Sequence, residues 1–282
     1  MAKRKVVVTG AAGYVAGRML PALRERYDVT LLDVGNRNRA GEEVPGIQIV
    51  DLTNPDRDLY RQYFRDTDAV IHCAYRHPRQ ASERYETERA NVDLAYNVYQ
   101  VALEEGVRRV VVCSSNHAAD YQERLIWDDR LDALDWHVRP LSDNFYGWAK
   151  EAYEHLGFVF ATGAERDGRR LENVQIRIGA PRETDIERVG ASDLKTLHRA
   201  LGAYLSVRDQ VQLFVKSIET DDIRDENGVP FQVFYGISGN SHRFWPIANA
   251  QRVIGYAPED DSQIRWADKL AQMLIDARGS AR

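Results

Sequence analysis

The chain has 282 residues, 44% of them apolar and 29% charged, with 38 basic side chains against 43 acidic ones. That length allows one large domain or two small ones with a sizeable core. The acidic balance argues against a dedicated nucleic-acid binder, because neutralising phosphates takes a basic surface. No apolar run approaches the roughly 18–20 residues of a membrane span. The run Val6-Val7-Val8 near the start is too short for a signal peptide and reads as a first strand. Only Cys73 and Cys113 occur, which predicts buried free thiols in a reducing cytoplasm rather than a disulfide.

Residues 5–9, 29–33, 47–51, 69–74, 109–114 and 174–178 are short apolar runs rich in β-branched side chains. Between them lie stretches with helical spacing, such as Val15-Met19-Leu20-Leu23 and Val92-Ala95-Tyr96-Val98-Tyr99-Ala102. Apolar strands alternating with amphipathic helices predict an α/β fold, a doubly wound parallel sheet of Rossmann type. A further helix over 206–219 and strand over 231–237 lie beyond this repeat and are expected in a small C-terminal subdomain. Residues 121–144 are polar and carry Trp127 and Trp136; they read as a long active-site loop.

The first strand runs into Thr9-Gly10-Ala11-Ala12-Gly13-Tyr14-Val15-Ala16-Gly17, which opens the first helix. Small residues there let backbone N–H groups approach a pyrophosphate, although an ordinary tight turn has the same look. The second strand ends in Asp33, placed to accept hydrogen bonds from the adenosine ribose. Its charge repels a 2′-phosphate, so the cofactor expected is NAD; Arg37 and Arg39 just downstream soften that preference. Residues 1–180 are then the NAD-binding domain, and 181–282 mainly bind substrate, interleaved with the core sheet.

Tyr146 and Lys150 stand one helical turn apart on one face. The fifth strand ends in Ser114-Ser115-Asn116-His117, at the sheet edge where ligand contacts gather. A free phenol is a poor base at neutral pH. An adjacent ammonium and the positive charge of an oxidised nicotinamide would stabilise the phenolate, with a serine hydroxyl orienting the substrate oxygen. A surface Tyr–Lys pair beside a serine-rich turn is the bland alternative.

With these residues the sequence resembles the extended short-chain dehydrogenases/reductases, in their NAD-dependent epimerase/dehydratase branch. Asp51-Leu52, His72-Cys73-Ala74 and Asn91 match further positions of that pattern. Ser114-Ser115-Asn116-His117, Arg177-Ile178-Gly179 and the segment 199–206 resemble uronate dehydrogenases more specifically; Tyr235-Gly236-Ile237-Ser238 and the Ser-Ser-Asn-His turn also resemble hexose-phosphate dehydrogenases. The resemblance implies Ser115, Tyr146 and Lys150 as catalytic residues. It implies a cofactor site of Gly10, Ala12, Gly13, Tyr14, Val15, Asp33, Asp51, Leu52, Cys73, Ala74, Tyr75, Asn91, Ser114, Tyr146, Lys150 and Ile178. Substrate would meet Ser115, Asn116, His117, Tyr146, His77 and Arg199, the arginine pairing with a sugar carboxylate. Departures are Ala16 at the third glycine position, Asn116 where many epimerases carry Ser or Thr, Tyr75-Arg76-His77 after the fourth strand, and the longer segment 121–144.

Other residues read as structural. His72 is expected to pack at a strand end, Trp245 either packs on the core or lines the pocket, and no Cys/His cluster has metal-site spacing. The expected activity is NAD-dependent oxidation of the C1 hydroxyl of a cyclic uronic acid or related aldose to the lactone. Rival readings are a hexose-phosphate dehydrogenase, a nucleotide-sugar epimerase or dehydratase that keeps its NAD, and a dinucleotide sensor without catalysis. The apolar stripe Phe145, Trp148, Ala149, Tyr153, Leu156, Phe160 and Ala161 predicts a homodimer; in the family this helix and the preceding long one commonly form the seam.

Overall fold

The computed structural model describes residues 3–165, 167–190 and 193–280. The chain opens with β1 (Lys5–Thr9), α1 (Tyr14–Arg26), β2 (Asp28–Asp33), β3 (Ile47–Ile49) and β4 (Ala69–His72). Then come α2 (Arg84–Glu104), β5 (Arg109–Ser115), α3 (Glu123–Trp127), α4 (Phe145–Thr162) and β6 (Glu172–Ile178). The last third holds α5 (Thr184–Glu187), α6 (Leu194–Ala203), α7 (Val207–Glu219) and β7 (Phe231–Gly236). It closes with α8 (Ala248–Ile254), α9 (Ser262–Arg265) and α10 (Ala267–Ser280).

The strands form one seven-stranded sheet in the order β3-β2-β1-β4-β5-β6-β7, with every pairing parallel. The near-continuous apolar runs follow from this, since each central strand is covered on both faces. Val6 and Val8 face one way, packing with Met19, Leu20 and Leu23 of α1 and Leu213, Phe214 and Ile218 of α7. Val7 faces the other, toward Leu94 and Val98 of α2 and Tyr153 and Phe160 of α4. The order of the strands reverses between β1 and β4, so a crevice opens beyond their carboxyl ends.

The helix and strand expected beyond the repeat belong to it: α7 packs beside α1, and β7 pairs with β6 along the sheet. What stands apart is a small cluster of Ile186, Leu197, Leu201, Tyr204 and Met273, drawn from α5, α6 and α10 and their flanks. Residues 121–144 are less loop-like than expected. They begin in a 3₁₀ stretch (Asn116–Gln122) and α3, and Leu134 anchors the remainder, fully buried with its N–H donating to Phe244 O. No described helix is long and apolar enough to cross a membrane.

Candidate active site

The crevice is a cleft of about 1050 Å³. Its floor at β1 is made by Gly10, whose φ of +66° and approach to β4 both demand glycine; a Cβ there would lie 2.5 Å from Ala74 N. Ala12, Gly13, Tyr14 and Val15 continue the wall. Helix α1 starts after Gly13 without a side-chain cap, so its first amides and the positive end of its dipole face the cleft. Ala16 is fully buried beneath them, where its methyl fits the core.

Asp33 accepts from Ala12 N at 2.9 Å and Val34 N at 2.7 Å, one bond to each carboxylate oxygen. Each oxygen keeps a lone pair for a ribose hydroxyl. Asp51 and Leu52 line the wall past β3, and Cys73, Ala74, Tyr75 and His77 past β4. Cys73 and Cys113 are unlinked thiols with their sulfurs in contact. Asn91 lies outside the wall. It brackets the Arg76 backbone, accepting from its N–H at 2.8 Å and donating to its carbonyl at 3.0 Å, and so pins the segment after β4 from behind. A dinucleotide fits this half: an uncapped helix start for its phosphates and a carboxylate with spare acceptors for its ribose.

The other half is built by α4. Asn144 caps this helix by accepting from Gly147 N at 3.0 Å. A Cβ on Gly147 would stand 2.2 Å from His117 O, so glycine lets the helix press against the turn after β5. That contact brings Tyr146 beside His117, with ring centroids 5.6 Å apart, and Tyr75 meets Tyr146 edge-on at 5.5 Å. The Lys150 ammonium donates to Cys113 O at 3.0 Å and lies 5.5 Å from the Tyr146 ring centre. Ser115, Asn116, His117, Tyr146, Lys150 and Ile178 all line the cleft. Ser115 Oγ accepts from His117 N at 3.2 Å, leaving its proton free, and the buried Asn116 amide nitrogen has no partner.

Ser114 also reaches the wall, but its hydroxyl donates to Glu154 at 2.8 Å, on the side of the buried Arg177. Burial pushes His72 down to about 3, with Lys150 adding to the effect, and its Nδ1 meets Thr9 Oγ1 at 2.8 Å. Burial lowers His77 as well, helped by Arg39, Arg182 and Lys150.

Arg199 lines the cleft with its fork already engaged: Nε donates to Glu123 Oε2 at 2.7 Å and Nη2 to Oε1 at 2.8 Å. Burial raises the Glu123 carboxyl, and Arg199 opposes that rise. Asp120 lies 3.7 Å from the same guanidinium and holds His117 Nδ1 at 2.7 Å, which leaves His117 Nε2 for a ligand. Trp245 is fully buried in the core, 5.6 Å from Arg199. Asp120 and Glu123 were not singled out from the sequence, although the spacing His117-x-x-Asp120-x-x-Glu123 places them on successive turns. Arg39 and Arg182 were also missed as a pair; from opposite banks each comes within 5.8 Å of the Tyr14 ring. Residues 121–144 back the cleft rather than line it.

The profile of the "NAD dependent epimerase/dehydratase family" matches residues 6–163. An L-arabinose 1-dehydrogenase (NAD(P)(+)) of Haloferax volcanii is 30% identical, over 92% of this chain and 97% of its own. An NAD-dependent glucose-6-phosphate dehydrogenase of the same organism is 29% identical, over 91% and 94%. A solved structure titled "Mutated Uronate Dehydrogenase" superposes with a TM-score of 0.72 at 26% identity, covering 95% of this chain and 86% of that one.

Proposed function

The chain belongs to the NAD-dependent epimerase/dehydratase family, and from that premise we propose an NAD-dependent sugar dehydrogenase that oxidises the C1 hydroxyl of a cyclic sugar to the lactone. The observation that carries this reading is the convergence of Ser115, Tyr146 and Lys150 on the same cleft as the glycine turn and Asp33. NAD, when bound, supplies the acceptor for the hydride that leaves C1.

The chain's own groups handle the proton and the positioning. Tyr146, as phenolate, takes the C1 hydroxyl proton on its Oη. Lys150 stabilises that phenolate and would hold the cofactor by donating to the ribose on the nicotinamide side. Ser115 donates to the substrate oxygen, while His117 Nε2 and the unpartnered Asn116 amide contact neighbouring hydroxyls. Asp120 holds the His117 ring in orientation from behind. The helices α5, α6 and α10 form the substrate-side subdomain.

The relatives' names include a neutral pentose, a sugar phosphate and, for two relatives as well as the solved structure, a uronate, so they support a sugar and leave its charge open. We assign the protein to the cytoplasm on its two unlinked thiols, and as a homodimer through the outer faces of α2 and α4 on the exposed aromatics there. The decisive assay incubates the protein with NAD and aldoses, uronates and sugar phosphates in turn, following reduced nicotinamide. Net reduction supports the reading. An epimerase gives none, and tight NAD binding without turnover on any sugar points to a sensor.

A further inference from the structure

Two arginines line the cleft near the catalytic residues: Arg76, in the segment after β4 whose backbone Asn91 pins, and Arg199, which an internal carboxylate already holds. Glu123 grips Arg199 through two charge-assisted bonds of 2.7 and 2.8 Å, its own side chain only 9% exposed. Asp120 adds a second negative charge 3.7 Å from the same guanidinium. Around this guanidinium, one positive charge faces the two carboxylates of Glu123 and Asp120. A sugar acid directed at Arg199 would meet a fork whose Nε and Nη2 are spent, with two carboxylates behind it. A sugar hydroxyl meets no such penalty, since it donates to a carboxylate or imidazole and accepts from a guanidinium equally well. The unpaired guanidinium groups of Arg39 and Arg182 gather at Tyr14 instead, beside the start of α1 where a cofactor's phosphates belong.

We propose that this dehydrogenase takes an uncharged aldose, and that Glu123 is the specificity-determining residue that excludes sugar acids by occupying Arg199. The inference rests on the sugar-dehydrogenase reading and narrows its substrate class. Selectivity here comes as much from repelling the wrong ligand as from holding the right one. Glu123 acts through Arg199, so it is a positioning residue.

The test compares matched pairs that differ only at C6, D-galactose with D-galacturonate and D-glucose with D-glucuronate, together with pentoses and glucose 6-phosphate. The wild-type enzyme should oxidise neutral aldoses with a kcat/KM at least tenfold above that for any uronate. Glu123→Gln keeps the shape and one acceptor but removes the charge. It should raise the uronate-to-aldose ratio at least tenfold, whereas a merely structural role would lower both members of a pair alike. A wild-type preference for a uronate or a sugar phosphate overturns the proposal, as does an unchanged ratio in a folded Glu123→Gln. The wild-type arm needs no variant, so it decides even if the substitution destabilises the protein. NAD binding with silence toward every sugar defeats the dehydrogenase reading itself and this inference with it; turnover that favours a uronate defeats this inference alone.

Discussion

Lys150 stands one turn beyond Tyr146 on α4, buried, with its ammonium fixed on the Cys113 carbonyl at 3.0 Å and 5.5 Å from the Tyr146 ring centre. The positive charge therefore cannot swing away from the phenol without losing a buried hydrogen bond. Tyr146→Phe keeps the edge-on contact with Tyr75 and removes only the oxygen. Turnover should fall by about 10²–10⁴, the usual contribution of a general base, with NAD affinity held within a few-fold. Steady-state kinetics and NAD titration check both halves; activity within threefold of wild type would take the base role from Tyr146.

How much of this was legible in the sequence follows from the range of each interaction. The central strands announce themselves because burial on both faces leaves continuous apolar runs. At the sheet edge β3 shrinks to three residues, with Gln48 and Ile49 exposed, and there the pattern reaches too far. The strand β7 reads as lying beyond the repeat, and the sequence has no local signal for its pairing with β6, about fifty residues earlier. Tyr146 and Lys150 are legible because a helix brings them together locally. The pairing of Arg199 with Glu123 spans 76 positions and arises only when α6 packs beside α3. An arginine free to bind a substrate and one already bound to a glutamate look identical in sequence.

Asp33 holds the glycine turn in place through Ala12 N and has acceptor capacity left over for a ribose. Asp33→Ala should therefore weaken NAD on two counts, raising its KM at least tenfold, and should shift preference toward NADP by removing the repulsive charge. Arg39, already turned into the cleft, would meet the 2′-phosphate. Kinetics with both cofactors test this; a wild-type enzyme equally efficient with NADP would remove Asp33 from the selecting role.

Arg177 and Glu154 form a buried bidentate pair at 2.9 and 2.7 Å, 1% and 6% exposed, with Ser114 and Tyr235 completing the network. Removing one partner strands a charge in the interior, which typically costs about 3–5 kcal/mol. Arg177→Met should lose about that much in urea denaturation, and the double change Arg177→Met with Glu154→Leu should lose less. A single-variant loss below about 1 kcal/mol would mean that water reaches Glu154 once the arginine is gone.

Tyr85 of α2 stacks on Trp148 and meets Phe145 of α4 edge-on, and all three remain 37–50% exposed. Ala149, Tyr153, Phe160 and Ala161 of the same stripe are buried in the protein's own core. An aromatic cluster of this kind is rarely left to water on a monomer. Light scattering should give twice the chain mass at micromolar concentration, and Tyr85→Arg should halve it. A wild-type monomer removes the dimer.

His72 is 2% exposed, accepts no second partner at Nε2, and burial holds it near 3, far below the 6.5 of a free imidazole. Between those two values the unfolded chain binds a proton that the folded protein refuses. Stability must then rise with pH across that window and fall as the solution is acidified through 6.5. At about 1.4 kcal/mol per pH unit below the unfolded value, this one side chain should cost about 2 kcal/mol between pH 7 and pH 5. Other histidines and carboxylates titrate in the same range, so the informative quantity is the difference between wild type and His72→Gln. The variant loses the contact with Thr9 at both pH values alike, which shifts its whole curve without changing the slope. Urea denaturation at pH 7, 6 and 5 should therefore give a curve for His72→Gln that is flatter than wild type by about 2 kcal/mol over the range. Parallel curves would mean that His72 takes up its proton in the folded protein, with the Thr9 hydroxyl turned to accept from it.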